Sequence, residues 1–210
     1  IAYAGSFYIK NTKENLSFSL RLNPYYRVHL FDPDNPVYYD FGSSIKAVTS
    51  IKNGTIFVSD LRFPIVSSFD AISRGIKGSL PNVRTQLKDY LNVNEARIHN
   101  LFVSSYFKPS NLLYGRITLG YLEHMYAGLS SEILFAPIES NISLGVEVNA
   151  VEAREFRQLL GTRQINGLQK VNGHISGYWD TDFYDYFAQL DLGRYLAGDK
   201  GGTFTLSRNF

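Results

Sequence analysis

The sequence predicts an all-β protein: an antiparallel transmembrane β-barrel, or part of one, with roughly 11 to 13 strands and one short helix near residues 80–92. Three observations carry this reading. Apolar and polar side chains alternate with period two through most of the chain. Turn-forming residues punctuate those runs at short intervals. The polar side of the clearest runs holds charges of both signs beside glycines and aromatics.

The clearest alternation lies between Tyr114 and Phe156. Ile117, Leu119 and Tyr121 point opposite to Arg116, Thr118 and Gly120; Ile133 and Phe135 oppose Glu132; Leu144, Val146 and Val148 oppose Gly145, Glu147 and Asn149. Ala127 to Ser131 and Pro137 to Asn141 supply the turns, which makes three consecutive antiparallel strands. The polar side carries Arg116, Glu123, Glu132, Glu147 and Arg154. Such a face suits the wet lumen of a barrel whose outside meets lipid. It suits equally a solvated face with scattered ion pairs.

From the start of the chain, Ala2 to Ile9 reads as a short aromatic-rich strand and Leu16 to Leu22 alternates cleanly. Asn23-Pro24 breaks that run, and Tyr25 to Phe31 resumes extended chain. Asp32 to Pro36 forms a rigid turn without the spacing or terminal Glu of a dedicated calcium loop. Ser44 to Ile51 and Thr55 to Phe63 make a hairpin around Asn53-Gly54, a pair suited to a type I′ turn. Ser79 to Asn92 is the helical exception: Pro81 sits in the first turn, and Val83, Leu87, Tyr90 and Leu91 fall at helical spacing. Its Arg84 and Lys88 share a face that is either solvated or attractive to an anionic sugar. Leu101 to Phe107, Asn172 to Trp179, Tyr184 to Arg194 and Gly202 to Ser207 complete the strands, with Gly161 to Lys170 as a long polar loop.

Composition narrows the function. The chain of 210 residues is 15% aromatic with a mean hydropathy of −0.14, which a barrel tolerates because only alternate strand residues face lipid. A net charge of +2, without a basic cluster interleaved with aromatics, argues against a nucleic-acid partner. There is no cysteine and no apolar run long enough for a spanning helix. His29, His99, His124 and His174 lack metal-ligand spacing, and no hydrolase elbow or phosphate-binding loop occurs. No metal, cofactor or catalytic residue is expected. Glu123 and Glu132, which bracket a turn, are the one pair that resembles a glycosidase arrangement. Pairing of such carboxylates with Arg116, Arg154 and Arg194 is the commoner role in a lumen.

The run G-Y-L-E-H-M-Y-A-G-L-S-S-E-I-L-F-A-P at 120–137, with L-G-V-E-V-N-A-V at 144–151 and R-E-F at 154–156, resembles the YjbH family of outer-membrane proteins tied to exopolysaccharide and capsule production. F-D-P-D-N-P-V-Y-Y-D at 31–40, S-L-P-N-V-R-T-Q-L-K-D-Y-L at 79–91 and G-R-Y-L-A-G-D-K-G-G-T-F-T-L-S-R-N-F at 193–210 extend the likeness in family order. The chain departs from the family at Ala153-Arg154-Glu155-Phe156, where Gln-Arg-Asp-Phe is usual, and at Leu134-Phe135-Ala136-Pro137, where Leu-Tyr-Arg-Pro is usual.

The resemblance implies a non-enzymatic role in exporting or assembling extracellular polysaccharide in the outer membrane of a Gram-negative bacterium. The polysaccharide, the membrane lipid, and periplasmic and lipoprotein components of the same export system would be its partners. It also implies a longer precursor, with a lipoprotein signal outside the stretch that opens Ile1-Ala2-Tyr3. In a conducting lumen, aromatic rings would stack on sugars while dispersed charges bind weakly at many points. Tyr121, Tyr126, Tyr178 and Tyr195 are the candidates for stacking, and Arg116, Glu123, Glu132, Glu147, Asn149, Arg154 and Arg194 for the polar contacts. A general porin or scaffold, and a soluble glycan-binding β-sandwich, are the competing readings.

Overall fold

The computed structural model describes residues 7–13, 16–31, 36–51, 54–69, 83, 89–90, 95–165 and 170–208. They form one antiparallel sheet: β1 (Phe7–Lys13), β2 (Leu16–Leu30), β3 (Val37–Ile51), β4 (Thr55–Ser67), β5 (Arg97–Ser110), β6 (Leu113–Tyr121), β7 (Tyr126–Phe135), β8 (Ile142–Arg154), β9 (Thr162–Arg163), β10 (Val171–Asp180), β11 (Tyr186–Arg194) and β12 (Lys200–Arg208). Each strand pairs with the next in sequence, except that the short β9 pairs β8 off the path and β10 takes the other place beside β8. Among the described residues β1 does not pair β12, so the sheet is open.

Alternation sets the two faces. Val103, Leu119, Leu129, Ala150 and Val171 form one cross-strand row on the apolar side, and Ile133, Val146, Ile175 and Leu192 form another. The opposite side carries the row Ser104, Thr118, Ser130, Asn149 and Asn172. Burial is the reverse of a water-soluble sheet. Leu144, Val146 and Val148 are 53%, 50% and 48% exposed, while Ser104, Thr118 and Ser130 are 2%, 7% and 8% exposed. No second sheet covers the apolar side among the described residues, so the two layers of a β-sandwich are not formed.

Described residues of the connection between β4 and β5 cover part of the polar side. Phe69, at the start of the connection between β4 and β5, stacks on Tyr38 of β3 with ring centroids 5.7 Å apart, and both are fully buried. Near the end of the same connection, Val83 and Tyr90 pack against Tyr126, Val151 and Ala153 at the end of the β7–β8 pair. The Tyr126 hydroxyl donates to the Val83 carbonyl at 2.6 Å, and the Tyr90 hydroxyl to the Arg154 carbonyl at 2.5 Å. Both long connections, 68–96 and 155–170, lie at this one end of the strands.

Several expectations shift. β2 runs unbroken through Asn23-Pro24, and Pro24 sits opposite Ser43. Pairing with β1 ends at Leu22, so the proline's missing N–H falls where one described neighbour remains. Ala127 to Ser131 belongs to β7 and not to a turn, which lies at Leu122 to Met125. Gly128 there faces Gly120 across the strands, at φ of 153° and 139°. A Cβ on Gly128 would fall 2.1 Å from the Ala150 carbonyl oxygen, and one on Gly120 2.3 Å from that of Leu101. These glycines mark close strand approach inside a sheet. Gly54, at φ 78°, closes the β3–β4 hairpin as expected. Of the expected helix, Asp89 and Tyr90 have helical backbone. Val83 is a bend, and Arg84, Lys88 and the other residues of that stretch, like the Asp32 to Asn35 turn, lie outside the described residues.

Gly128→Ala and Gly120→Ala are each expected to cost about 1–3 kcal/mol, read as a lower urea midpoint. Gly177→Ala, where the nearest atom to an added Cβ is a Leu144 methyl at 4.0 Å, is expected to be near neutral.

Candidate functional site

Strand register builds a charged row on the polar side. Arg116 of β6 lies opposite Glu132 of β7, which lies opposite Glu147 of β8. The Arg116 guanidinium reaches Glu132 at 2.9 Å and Glu147 at 3.9 Å. The Asn149 amide donates to Glu147 at 2.5 Å and to the Asn172 side-chain oxygen at 3.2 Å, tying this row to the next. All three charged groups keep about a third of their side chains exposed, so the row contributes at most ~1 kcal/mol per pair to stability. Its charges stay available to a ligand.

The other expected residues disperse. His174 of β10 continues the row beside Glu147, and Tyr195 packs edge-on against it with centroids 4.6 Å apart. Tyr178 lies on the same side of β10, stacked on Phe187. Tyr126 is buried against Val83 and Tyr90. Arg194 has the parity of Leu190 and Leu192, opposite Gly173 and Lys200, which puts it on the apolar side at the end of β11. Glu123 sits in the turn before β7, whereas Glu132 is six residues beyond Tyr126. At about 3.3 Å per residue, Glu132 lies roughly 20 Å from that turn. A glycosidase pair needs its carboxyls within about 5–9.5 Å, and these two are not brought together.

Arg154, at the end of β8, is a structural hub. Its guanidinium donates to the backbone carbonyls of Ile98, His99, Glu123 and Gln158 at 2.7–3.3 Å and lies over the Tyr121 ring at 4.6 Å. The apolar side of β8 ends at Ala150, and Glu152, paired with Lys170 at 2.7 Å, begins its polar margin. Arg154 lies past that margin. Burial pulls its guanidinium down to about 10, so it stays charged at neutral pH and ties β5, the β6–β7 turn and the β8–β10 connection together.

A second cluster escapes sequence reasoning. The buried Asp40 carboxylate on β3 receives Arg97 at 2.5 Å, Arg27 at 2.7 Å and the Tyr25 hydroxyl at 3.2 Å. Arg62 lies over the Tyr25 ring at 5.1 Å, and Arg27 over Phe69 at 5.0 Å. The signal was present: Tyr25 and Arg27 alternate with Tyr26 and Val28, and Asp40 alternates with Tyr39 and Phe41. Breaking the run at Pro24 and starting the next strand at Ser44 hides it. The polar side is therefore divided by charge. On β2 to β5, Arg21, Arg27, Lys46, Arg62 and Arg97 outweigh Asp40 and Asp60. From β6 onward, Glu132, Glu147 and Asp191 outweigh Arg116.

Fold and site define a class: a single-layer antiparallel β-protein with its apolar side outward and a charged, partly covered polar side within. The chain belongs to the YjbH family, since the family model described as exopolysaccharide biosynthesis protein YbjH matches residues 5–210. It is 27% identical over 197 residues to a protein of Escherichia coli (strain K12) named "Uncharacterized lipoprotein YjbH", covering 92% of this chain and 28% of that relative. The chain thus spans less than a third of the curated relative it matches. No solved structure matches it.

Asp40→Ala strips the buried carboxylate from Arg27 and Arg97 and is expected to cost ~3–5 kcal/mol in a urea melt. Arg116→Gln, in the half-open row, is expected to cost less than ~1 kcal/mol in the same assay.

Proposed function

We propose that this chain forms wall of a transmembrane β-barrel in the bacterial outer membrane, and that its polar side lines a space through which an exopolysaccharide is exported or assembled without a catalytic step. The observation that carries this reading is the inverted sheet. Rows of Leu, Ile and Val stand half exposed on one side while Ser, Thr and Asn are buried on the other. In water such an arrangement exposes apolar rows and covers polar groups, which reverses the hydrophobic driving force. Against hydrocarbon it is the favourable one, provided every backbone group is paired within the sheet.

Strand dimensions agree. The strands from β6 onward, β9 aside, have 9 to 13 residues, and a tilted spanning strand needs about 9–11. Long connections gathered at one end and shorter turns at the other are the usual asymmetry of outer-membrane barrels. An open edge at each side of the described sheet leaves closure to further strands, and the relative's greater length is compatible with that. The family's link to exopolysaccharide and the relative's description as a lipoprotein support an envelope role. The row Arg116–Glu132–Glu147, partly exposed and of mixed sign, suits a surface that holds a passing glycan weakly at several points. Periplasmic and lipoprotein components of the same export system would act alongside it.

Val146→Arg places a charge on the lipid side and is expected to cost ~2–4 kcal/mol of membrane stability, read as lost detergent-resistant, heat-modifiable protein in outer-membrane fractions. Thr205→Lys, on the polar side of β12, is expected to assemble normally. A protein that stays monodisperse in buffer without detergent would overturn the membrane reading. At unchanged abundance, Arg116→Gln with Glu132→Gln is expected to lower surface polysaccharide severalfold, and Arg194→Gln to leave it unchanged.

A further inference from the structure

The polar side of β8, β10, β11 and β12 carries a groove of about 240 Å³. We infer that it is a saccharide subsite for glycan segments without acidic groups, an inference that rests on the polysaccharide-facing reading above.

Glycines seat the aromatic rings of this groove. The Tyr178 ring covers Gly145, with its Cε2 3.3 Å from where a Cβ would stand, and the Tyr195 ring covers Gly201 at 3.5 Å. Gly193 leaves room for the His174 ring, whose Cδ2 lies 2.8 Å from the corresponding point. Rings held over glycines lie close to the sheet, and Tyr178 is further held by its stacking on Phe187. Tyr178 and Tyr195 both line it, which gives two apolar platforms of the kind that pack on the C–H faces of pyranose rings.

Between the platforms stand acceptors for sugar hydroxyls. Asp191 accepts from the Gln189 amide at 2.9 Å on each of its oxygens. That bond fixes the carboxylate while leaving further lone pairs on both oxygens for a ligand. Glu147 lines the other side, and the Ser176 and Thr203 hydroxyls complete the lining. The Tyr195 hydroxyl is hydrogen-bonded to Thr203 at 2.5 Å, which holds that ring in place.

Charge then selects the sugar. Two carboxylates and no Lys or Arg line the groove. The nearest guanidinium in the row, Arg116, is engaged by Glu132 at 2.9 Å and stands 3.9 Å from Glu147. A uronate entering here meets two carboxylates at short range with no Lys or Arg in the lining to pair with, whereas neutral hexoses and amino sugars meet those carboxylates as acceptors beside hydroxyls that can donate or accept.

The test uses the full-length protein in detergent micelles with three probes, the linear hexamers of glucose, glucosamine and galacturonate, titrated by calorimetry. Glucose and glucosamine hexamers are expected to bind, with the galacturonate hexamer at least tenfold weaker. Tyr178→Ala and Tyr195→Ala should each weaken the first two about tenfold, while Tyr178→Phe, which keeps the ring, stays within twofold. Asp191→Asn should narrow the discrimination against galacturonate. Equal binding of all three hexamers, or alanine variants that bind like the parent while folded by heat-modifiability, overturns the subsite. So does absence of binding by the glucose and glucosamine hexamers. If the protein is then still found in the outer membrane and Arg116→Gln with Glu132→Gln still lowers surface polysaccharide, only the subsite fails and the export reading stands.

Discussion

Sequestration of polar side chains on one side of a single sheet is the constraint on which the rest of this structure depends. Antiparallel ladders satisfy the backbone of the inner strands on both sides over most of their length, so the side chains decide which environment each face tolerates. With leucines, isoleucines and valines half exposed and serines and threonines covered, the usual core is absent. What replaces it is a polar side bounded by the sheet and, at one end, by Phe69, Val83 and Tyr90 packed against it.

That side is held by a few expensive groups. Asp40, fully buried, is tolerated because two guanidinium groups and a phenol meet its oxygens. Removing one partner from such a cluster is costly even where the assembled cluster adds little net stability. Phe69 and Tyr90 bring the ends of the 68–96 connection onto β3 and onto the β7–β8 pair, and Arg154 links the strand ends by donating to carbonyls. The described residues at the end with the long connections are thereby packed together, and the opposite half of the polar side stays open enough to present Arg116, Glu132, Glu147 and Asp191.

The same division governs what the polar side can meet. The β2–β5 wall is basic and largely engaged with its own aspartates and aromatics, while the wall from β6 to β12 is acidic and carries half-buried tyrosines over glycines. A net charge of +2 conceals this polarity entirely. For a polymer moving along such a surface, weak contacts spread over two walls of different sign favour passage over capture.

Much of this was legible in the chain, because a strand's side-chain period is exact enough to assign faces without tertiary information. Arg116, Glu132, Glu147 and Asn149 share a side through parity alone, and the same rule places Arg194 with Leu190 and Leu192, and Tyr121 with Leu119, away from it. Pairing order, the Gly54 hairpin and the antiparallel sheet also follow from local pattern and turn chemistry. Proline misled where a strand had lost a neighbour, and small residues misled where Gly120 and Gly128 permit close approach. The Asp40 cluster, the burial of Tyr126 and the carbonyl hub at Arg154 were decided only by tertiary structure. Each joins residues tens of positions apart through the curl of the sheet and the path of a connection, and neither quantity is encoded in any local period.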